Sequence, residues 1–273
     1  MTRIKNQLEV YKLLPKSNCR QCGLPTCLAF SAAVMKGEKQ LVDCPYISPS
    51  ISEPLANRID THRSVEDNRE EVAEQLKSKV SAIDLLSSAD RLGATIVDGK
   101  LAIKCLGKDF FIDQKGNITS ECHIHPWITI PLLDYIIHGK GGNISGTWVP
   151  FRELKKGTAM GPLFGQRCEK PLKKIADSHP DLFEDLISLF SGDRSTNMFS
   201  SDISLILYPL PKVPLLICYW QPEDDIESSL HIFFDSSAED HVSIESIFSL
   251  GVGIALMIEK VVLKHRKNEI WNG

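Results

Sequence analysis

The chain has 273 residues, and its content of 42% hydrophobic and 24% charged residues excludes disorder as the main state. At roughly 150 residues per domain, this length predicts about two domains. The net charge of −4 argues against a general binder of nucleic acid or of anionic membranes, so neither partner is expected. Eight cysteines are the unusual feature of the composition, and four of them fall within residues 19–44.

The N-terminal segment and the apolar segments indicate in which cellular compartment the protein is expected. Residues 1–16 mix basic, acidic and apolar side chains without an uninterrupted apolar stretch, so they do not predict a signal peptide. The longest charge-free apolar stretch, residues 246–258, is shorter than the roughly 20 residues that a membrane-spanning helix needs. We therefore expect a cytoplasmic protein without a membrane span. In a reducing compartment, clustered cysteines are more often metal ligands or redox groups than disulfides.

The first part of the chain is basic, and its pattern is helical. Residues 1–45 contain seven basic and three acidic side chains, so this segment has a net charge of +4 and the rest of the chain one of −8. Proline and glycine mark the ends of the predicted elements. In chain order these elements are a helix over 4–14 that Pro15 stops, a cysteine loop, a helix from Pro25 to Gly37, a Ser/Pro-rich boundary at 46–54 and an exposed connecting helix over 64–80.

The pattern changes after residue 81, where short apolar runs alternate with turn residues and helical segments. The predicted strands cover 94–97, 101–106, 109–113, 204–210, 214–220 and 229–235, and the predicted helices cover 128–138, 180–190 and 243–264. The sequence therefore predicts an α+β fold in three parts. These parts are a small helical module (1–50), a linker with the connecting helix (51–81) and a larger mixed α+β domain (82–273).

Four cysteines form the motif C-x2-C-x4-C-x16-C-P, namely Cys19, Cys22, Cys27 and Cys44. The first two can present both sulfurs to one metal centre from a tight loop, and Gly23 lets backbone N–H groups approach those sulfurs. Cys27 is predicted in the first turn of a helix, where the helix dipole favours a thiolate. Pro45 fixes the exit of the chain, as a proline does after the last cysteine of bacterial ferredoxin motifs.

Four thiolates can hold zinc or an iron–sulfur cluster, and the same cysteines can also be inert or redox-active thiols. Structural zinc sites usually use two C-x2–4-C pairs around a single ion. Here three cysteines are bunched and one is remote, which better matches a cubane whose four irons each take one sulfur. The basic surplus of residues 1–45 would stabilise the negative charge of a cluster, although a solvated basic surface explains it equally well.

Residues 13–45, LLPKSNCRQCGLPTCLAFSAAVMKGEKQLVDCP, resemble a known iron–sulfur domain family. The family occurs in the large subunit of the corrinoid iron–sulfur protein and in the B subunit of the Rnf electron-transport complex. Its C-x2-C-G-x3-C run, alanine-rich helix and final C-P are matched throughout. The resemblance implies that Cys19, Cys22, Cys27 and Cys44 are the ligands of one [4Fe–4S] cluster.

The remainder of the chain resembles, more loosely, an uncharacterised domain of unknown function that often follows this module in anaerobic bacteria and archaea. The matching stretches are WVPFRE at 148–153, PLPKVPL at 209–215 and IFFDSSAEDHVSIE at 232–245. No catalytic residue comes with this resemblance. We expect neither the cobalamin domain of the corrinoid protein nor the membrane anchor of the Rnf subunit in this chain.

A second candidate metal site consists of Cys122, His123 and His125, which place a thiol and two imidazoles within four residues. The alternative is an ordinary loop before a helix. Cys105 and Cys218 lie in apolar strand patterns, which predicts that they are small buried hydrophobic residues.

Three further polar residues follow the last predicted strand: Asp235, His241 and Glu245. They could bind a cation or act as acids and bases. The interpretation that we favour is that Asp235 and the adjacent serines close a turn and cap a helix.

The expected function is that of an iron–sulfur protein of anaerobic metabolism whose N-terminal module relays one electron. The α+β domain would bind the redox partner protein or metal cofactor that receives it, and by analogy with the corrinoid proteins this cofactor could be a corrinoid that is reductively activated. The alternative is a non-catalytic adaptor, chaperone or redox sensor with a structural iron–sulfur or zinc site. An enzyme that uses a pocket of the second domain is the third hypothesis.

Overall fold

A computed structural model describes residues 4, 6–56, 58–59, 65–180, 190, 193–194 and 198–271 of the chain. Contacts between residues divide the protein into two compact units, Met1–Glu71 and Val72–Gly273. Helices and two antiparallel sheets are both present, which confirms the predicted α+β class. The finer division into 1–50, 51–81 and 82–273 stays a prediction.

The first unit is helical. Its helices are α1 (Gln7–Leu13), α2 (Cys27–Met35) and α3 (Pro49–Ala56), and α4 (Val65–Val80) begins in it. Helix α2 starts at Cys27 rather than near Pro25, because the Thr26 side chain accepts the Ala29 N–H at 3.0 Å and caps the helix there. Helix α3 lies in the Ser/Pro-rich segment that was predicted to be a boundary.

The second unit contains both sheets and the remaining described helices. The helices are α5 (Leu85–Leu92), α6 (Pro126–His138), α7 (Gly157–Phe164), α8 (Lys170–Ser178) and α9 (Ile244–Trp271). The strands are β1 (Thr95–Val97), β2 (Lys100–Cys105), β3 (Lys108–Ile112), β4 (Ile118–Thr119), β5 (Trp148–Pro150), β6 (Asp193–Arg194), β7 (Ile203–Leu210), β8 (Val213–Trp220) and β9 (Ser229–Asp235).

The strands form two antiparallel sheets, with the orders β1-β2-β3-β4 and β5-β9-β8-β7-β6. Asp98 and Gly99, with φ of +49° and +72°, form the two-residue turn between β1 and β2, as an Asp-Gly pair does in a tight hairpin. The Leu106 N–H donates to the Tyr208 carbonyl at 2.8 Å and links the two sheets. One continuous hydrophobic core joins the buried residues of both sheets and the helices of this unit.

Helix α9 packs against α6, α7 and α8 in this core. Two glycines allow the close approach. A Cβ atom at Gly251 would lie 2.6 Å from Phe164 Cε2, and one at Gly253 would lie 2.8 Å from Trp127 Cβ. Neither site has room for a side chain in the present packing, so the two glycines fix how near α9 lies to α6 and α7.

Most of the elements predicted for the second unit are present. The strands predicted at 94–97, 101–106, 109–113, 204–210, 214–220 and 229–235 correspond to β1, β2, β3, β7, β8 and β9. Helix α6 begins two residues before its predicted start, and α9 continues beyond its predicted end to Trp271. The helix predicted over 180–190 lies outside the described residues except at its two ends.

Helix α9 also bears on the prediction that the chain has no membrane span. Over Ile244–Leu263 it is long and apolar enough to cross a bilayer, and no other helix among the described residues meets this criterion. Half of that span is buried inside the protein, and the core helix of a soluble protein meets the same criterion. The absence of a membrane span therefore stays a prediction.

Candidate metal centre

The loop between α1 and α2 carries the first three cysteines of the motif. Helix α1 ends at Leu13 because Pro15 cannot continue it, and Leu14 turns into the small core of the first unit, where it is 4% exposed. Helix α2 then begins at Cys27 and buries Phe30 in the same core. The two helices therefore hold the ends of a cysteine loop of about one dozen residues.

Backbone geometry in this loop is unusual. Lys16, Asn18 and Arg20 have φ of +60°, +50° and +63°, and Gly23 has φ of +81°. Glycine and asparagine adopt this left-handed region readily, whereas Lys16 and Arg20 do so at a cost and raise the energy of the loop. Such strain persists where surrounding structure enforces it, and it concentrates at functional sites.

Hydrogen bonds fix the loop against α2. The Cys27 N–H donates to Asn18 Oδ1 at 2.8 Å, and the Gly23 N–H donates to the Arg20 carbonyl at 2.9 Å. Asn18 thus satisfies one of the free N–H groups at the start of the helix and fixes Cys27 relative to the loop. Sequence reasoning did not single out Asn18, and its place one residue before the first cysteine is the only signal for this role.

Cys44 comes to the site from the other side. A short 3₁₀ helix, Leu41–Asp43, directly precedes it, and the Gln40 N–H donates to Asp43 Oδ2 at 2.8 Å. Leu41 is buried, so the turn is anchored in the core of the first unit. The Ile47 N–H then donates to the Cys44 carbonyl at 3.1 Å and holds the chain after the cysteine.

All four cysteines line one cavity in the first unit: Cys19, Cys22, Cys27 and Cys44. Its walls also include the apolar side chains of Leu14, Leu24 and Phe30, together with Arg20. Exposure is graded around the cavity, since Cys19 is exposed and Cys22 half-buried, while Cys27 and Cys44 are 7% and 5% exposed. One side of the cavity thus faces solvent and the other belongs to the core.

This donor set fits an iron–sulfur cluster. It offers four thiols, apolar walls that limit water, and an exposed basic residue, Arg20, in the lining. No three His, Cys, Asp or Glu side chains among the described residues are grouped to hold a single metal ion. A cubane would not require three donors at one ion, because each thiolate would bind a different iron.

The second candidate site has another local role. The His125 Nδ1 accepts the Trp127 N–H at 3.4 Å, so His125 is the N-cap of α6. Its ring stacks on Trp127 with 6.3 Å between centroids, and the Cys122 N–H donates to Ser120 Oγ. A site at Cys122, His123 and His125 stays a prediction.

Three of the four cysteines of the second unit are buried thiols, and Cys122 is the partly exposed one. Cys105, Cys168 and Cys218 are at most 3% exposed, and burial raises the pKa of each. They therefore stay protonated, whereas a metal ligand must be a thiolate. The prediction that Cys105 and Cys218 are buried hydrophobic residues is confirmed.

Asp235 closes a turn, as predicted. Its carboxylate accepts hydrogen bonds from the N–H and hydroxyl groups of Ser145 and Ser237 and from the Gly146 N–H. Burial alone would raise the pKa of Asp235, but these hydrogen bonds lower it below the usual value. Asp235 is therefore a charged anchor for the glycine-rich loop at 139–146, with its acceptor capacity already used by this chain.

Two family models match the chain. A model of an Fe-S cluster domain matches residues 14–46, which include all four cysteines of the motif. A model of the domain of unknown function DUF3786 matches residues 84–257. These matches confirm both resemblances that the sequence suggested.

Three curated relatives share short stretches with the chain. The corrinoid/iron-sulfur protein large subunit of Moorella thermoacetica is 52% identical over 48 residues, which cover 18% of this chain and 11% of that protein. The acetyl-CoA decarbonylase/synthase complex subunit gamma of Methanocaldococcus jannaschii is 42% identical over 41 residues, which cover 15% of this chain and 8% of that protein. The subunit gamma of Archaeoglobus fulgidus is 33% identical over 57 residues, which cover 20% of this chain and 12% of that protein. The chain thus spans about a tenth of each relative's length. No solved structure matches it.

Proposed function

We propose that this chain holds one [4Fe–4S] cluster and acts in one-electron transfer. The chain belongs to the family of the domain of unknown function DUF3786 and is an iron–sulfur protein. The observation that carries the proposal is that Cys19, Cys22, Cys27 and Cys44 line a single cavity. These four thiolates would be the ligands. When bound, the cluster supplies a one-electron redox centre whose potential depends on charge, hydrogen bonds and exposure.

The surroundings of the cysteines support a redox role. Leu14, Leu24 and Phe30 limit water at the inner side of the cavity, and Arg20 offers positive charge at its edge. Cys19 lies at the exposed side, so a partner can approach the centre closely there. A short distance between partners is what electron transfer needs.

The acceptor is a partner protein or a metal cofactor. Two of the relatives named above are subunits of a complex, and the name of a third includes a corrinoid. Those names belong to proteins that align with this chain over only 41–57 residues. Reductive activation of a corrinoid is the narrower form of the proposal, and it rests on this analogy.

One observation favours a second candidate, in which the cluster is structural or senses redox state. Cys27 and Cys44 belong to the hydrophobic core of the first unit, beside Val10 and Phe30. Ligation there would tie α1, α2 and the 3₁₀ turn together, so cluster binding would contribute to folding. A relay and a structural centre differ in whether the cluster can be reduced reversibly without loss of iron.

The test is anaerobic purification followed by iron analysis and electron paramagnetic resonance before and after dithionite. The relay predicts about four irons per chain and a paramagnetic signal that appears on reduction and disappears on reoxidation. Cys19→Ser and Cys44→Ser should each lose this signal, whereas the control Cys122→Ser, outside the motif, should keep it. Iron that is present but released on reduction would favour the structural role, and a chain with zinc and no iron would overturn both.

A further inference from the structure

The second unit contains a cavity of about 480 Å³ that involves none of the cysteines. It lies beside the edge of the five-stranded sheet. Strand β5 has three residues and pairs only with the last three of β9, Phe233–Asp235. In the part of the chain that the structure describes, the β9 edge from Ser229 to Ile232 therefore has no neighbouring strand on that side.

A single turn of π-helix contributes Glu169 to the lining of this cavity, beside residues of α7. It spans Gly165–Glu169 and joins α7 to α8 without a break. Pro171 lies two residues after this turn, and because it has no N–H and its ring crowds the preceding turn, a regular α-helix cannot continue through this point. Isolated π turns of this kind are frequent at functional sites.

The π turn places Glu169 at the edge of β9 that has no neighbouring strand. Glu169 Oε1 accepts the Ile232 N–H at 3.1 Å, so the side chain takes the place of a neighbouring strand. The same oxygen lies 3.7 Å from His231 Nδ1. An extended peptide that added to β9 would need this N–H, so the edge is closed to a further strand while the cavity beside it stays open.

Three phenylalanines line the cavity, namely Phe151, Phe164 and Phe233, and Phe199 packs on one of them. The rings of Phe151 and Phe164 stack in parallel at 4.3 Å between centroids, and each residue is 2% exposed. Phe233 stacks on Phe199 at 4.6 Å. Phe199 is half exposed, and its backbone has φ of +53°, a strained conformation for a residue with a bulky side chain.

Two donors complete the lining. Arg152 follows β5 and lines the cavity. Gly161 packs closely against the base of the Arg152 side chain, because a Cβ at Gly161 would lie 3.3 Å from Arg152 Cβ. The His231 ring is flanked edge-on by Trp220 and Phe233, with centroid distances of 5.8 Å and 6.4 Å. Because Glu169 lies near Nδ1, Nε2 is the imidazole nitrogen available to a ligand.

We propose that this cavity binds a small organic anion with a flat apolar body, such as an aromatic carboxylate or sulfonate. The partly exposed Phe233 ring takes the body, and Arg152 with His231 takes the anionic group. Glu169 closes the strand edge beside the cavity. The volume falls in the range of small-molecule sites, roughly 300–1,000 Å³. The proposal does not depend on the cluster or on its redox activity.

The test is a fluorescence titration of the full chain with 1-anilinonaphthalene-8-sulfonate, an aromatic sulfonate. The expected result is saturable binding of one probe per chain. Arg152→Ala should weaken binding roughly 10-fold or more, as expected for the loss of a hydrogen bond to a charged group. The matched control is Arg167→Ala, an exposed arginine of the π turn that does not line the cavity, and it should change the affinity less than about twofold.

A second variant tests the apolar part of the site independently. Phe233→Ala should weaken binding of the same probe by a similar factor, since it removes one flat wall of the cavity. Circular dichroism of each variant establishes that the fold is intact. Binding that does not saturate, or that responds equally to Arg152→Ala and Arg167→Ala, would overturn the proposal.

Discussion

His241 is the most unusual single residue of the second unit. It is fully buried, and neither ring nitrogen has a hydrogen-bond partner among the described residues. Burial lowers its pKa and Lys212 lowers it further, with a smaller effect of the same sign from Lys140, whereas Asp240 and Asp235 act in the opposite direction. The folded protein therefore keeps this imidazole neutral under conditions in which an exposed histidine is protonated.

This burial predicts a loss of stability in mild acid. An unfolded histidine titrates near pH 6.5, so below that pH the unfolded chain binds a proton that folded His241 does not. The free energy of unfolding should then fall with decreasing pH, by at most about 1.4 kcal/mol per pH unit from this residue. The effect continues down to the lowered pKa of the folded state and is absent well above about pH 6.5.

Urea unfolding between about pH 7.5 and pH 5.5 measures this effect. All four tryptophans belong to the second unit, so their fluorescence reports on it specifically. His241→Leu should lose less stability over this range than the wild type. The control His123→Leu changes an exposed histidine and should keep the wild-type slope. If the free energy of unfolding of both variants falls with pH as steeply as that of the wild type, His241 does not cause the pH dependence.

At the scale of elements, the contact of α9 with α7 depends on one glycine. A Cβ at Gly251 would lie 2.6 Å from Phe164 Cε2 and 3.4 Å from Cys168 Sγ. The Phe164 ring has little freedom to move, because it stacks on Phe151 at 4.3 Å and contacts Phe248 edge-on at 6.0 Å.

Gly251→Ala should destabilise the second unit by about 1–3 kcal/mol through overpacking. The direction of this change in stability is informative, because alanine normally stabilises a helix interior by about 1 kcal/mol relative to glycine. Gly142→Ala is the control, since a Cβ there meets no atom within 4 Å. The measurement is urea unfolding followed by tryptophan fluorescence, and a Gly251→Ala variant at least as stable as the wild type would contradict the packing argument.

The sequence predicted strands better than helices in the second unit. Alternating apolar residues and turn signals such as Asp98-Gly99 are local, and β1–β3 and β7–β9 were predicted from them. Helix α5 was missed although both ends are marked, since Asp84 accepts the Leu86 N–H and Gly93 ends the helix with φ of +60°. Helix α7 contains Gly161 and Pro162, which disfavour a helix, so tertiary packing stabilises it.

At the scale of the whole molecule, the chain joins two units with separate hydrophobic cores. The candidate cysteine site could be predicted because its donors are close in sequence and their spacing is specific. The cavity of the second unit could not be predicted in this way. Arg152, Glu169 and His231 are far apart in the chain, and only the π turn and the short strand β5 bring them to one place.

The central claim is that the four cysteines of the first unit hold one [4Fe–4S] cluster. The most direct measurement is a Mössbauer spectrum of the chain produced with ⁵⁷Fe and purified without oxygen, combined with iron and sulfide analysis. The account predicts about four irons and four sulfides per chain, all in one diamagnetic [4Fe–4S]²⁺ spectrum that is absent from Cys44→Ser and kept by Cys122→Ser. A spectrum of a two-iron centre, or iron that Cys44→Ser retains in full, would contradict it.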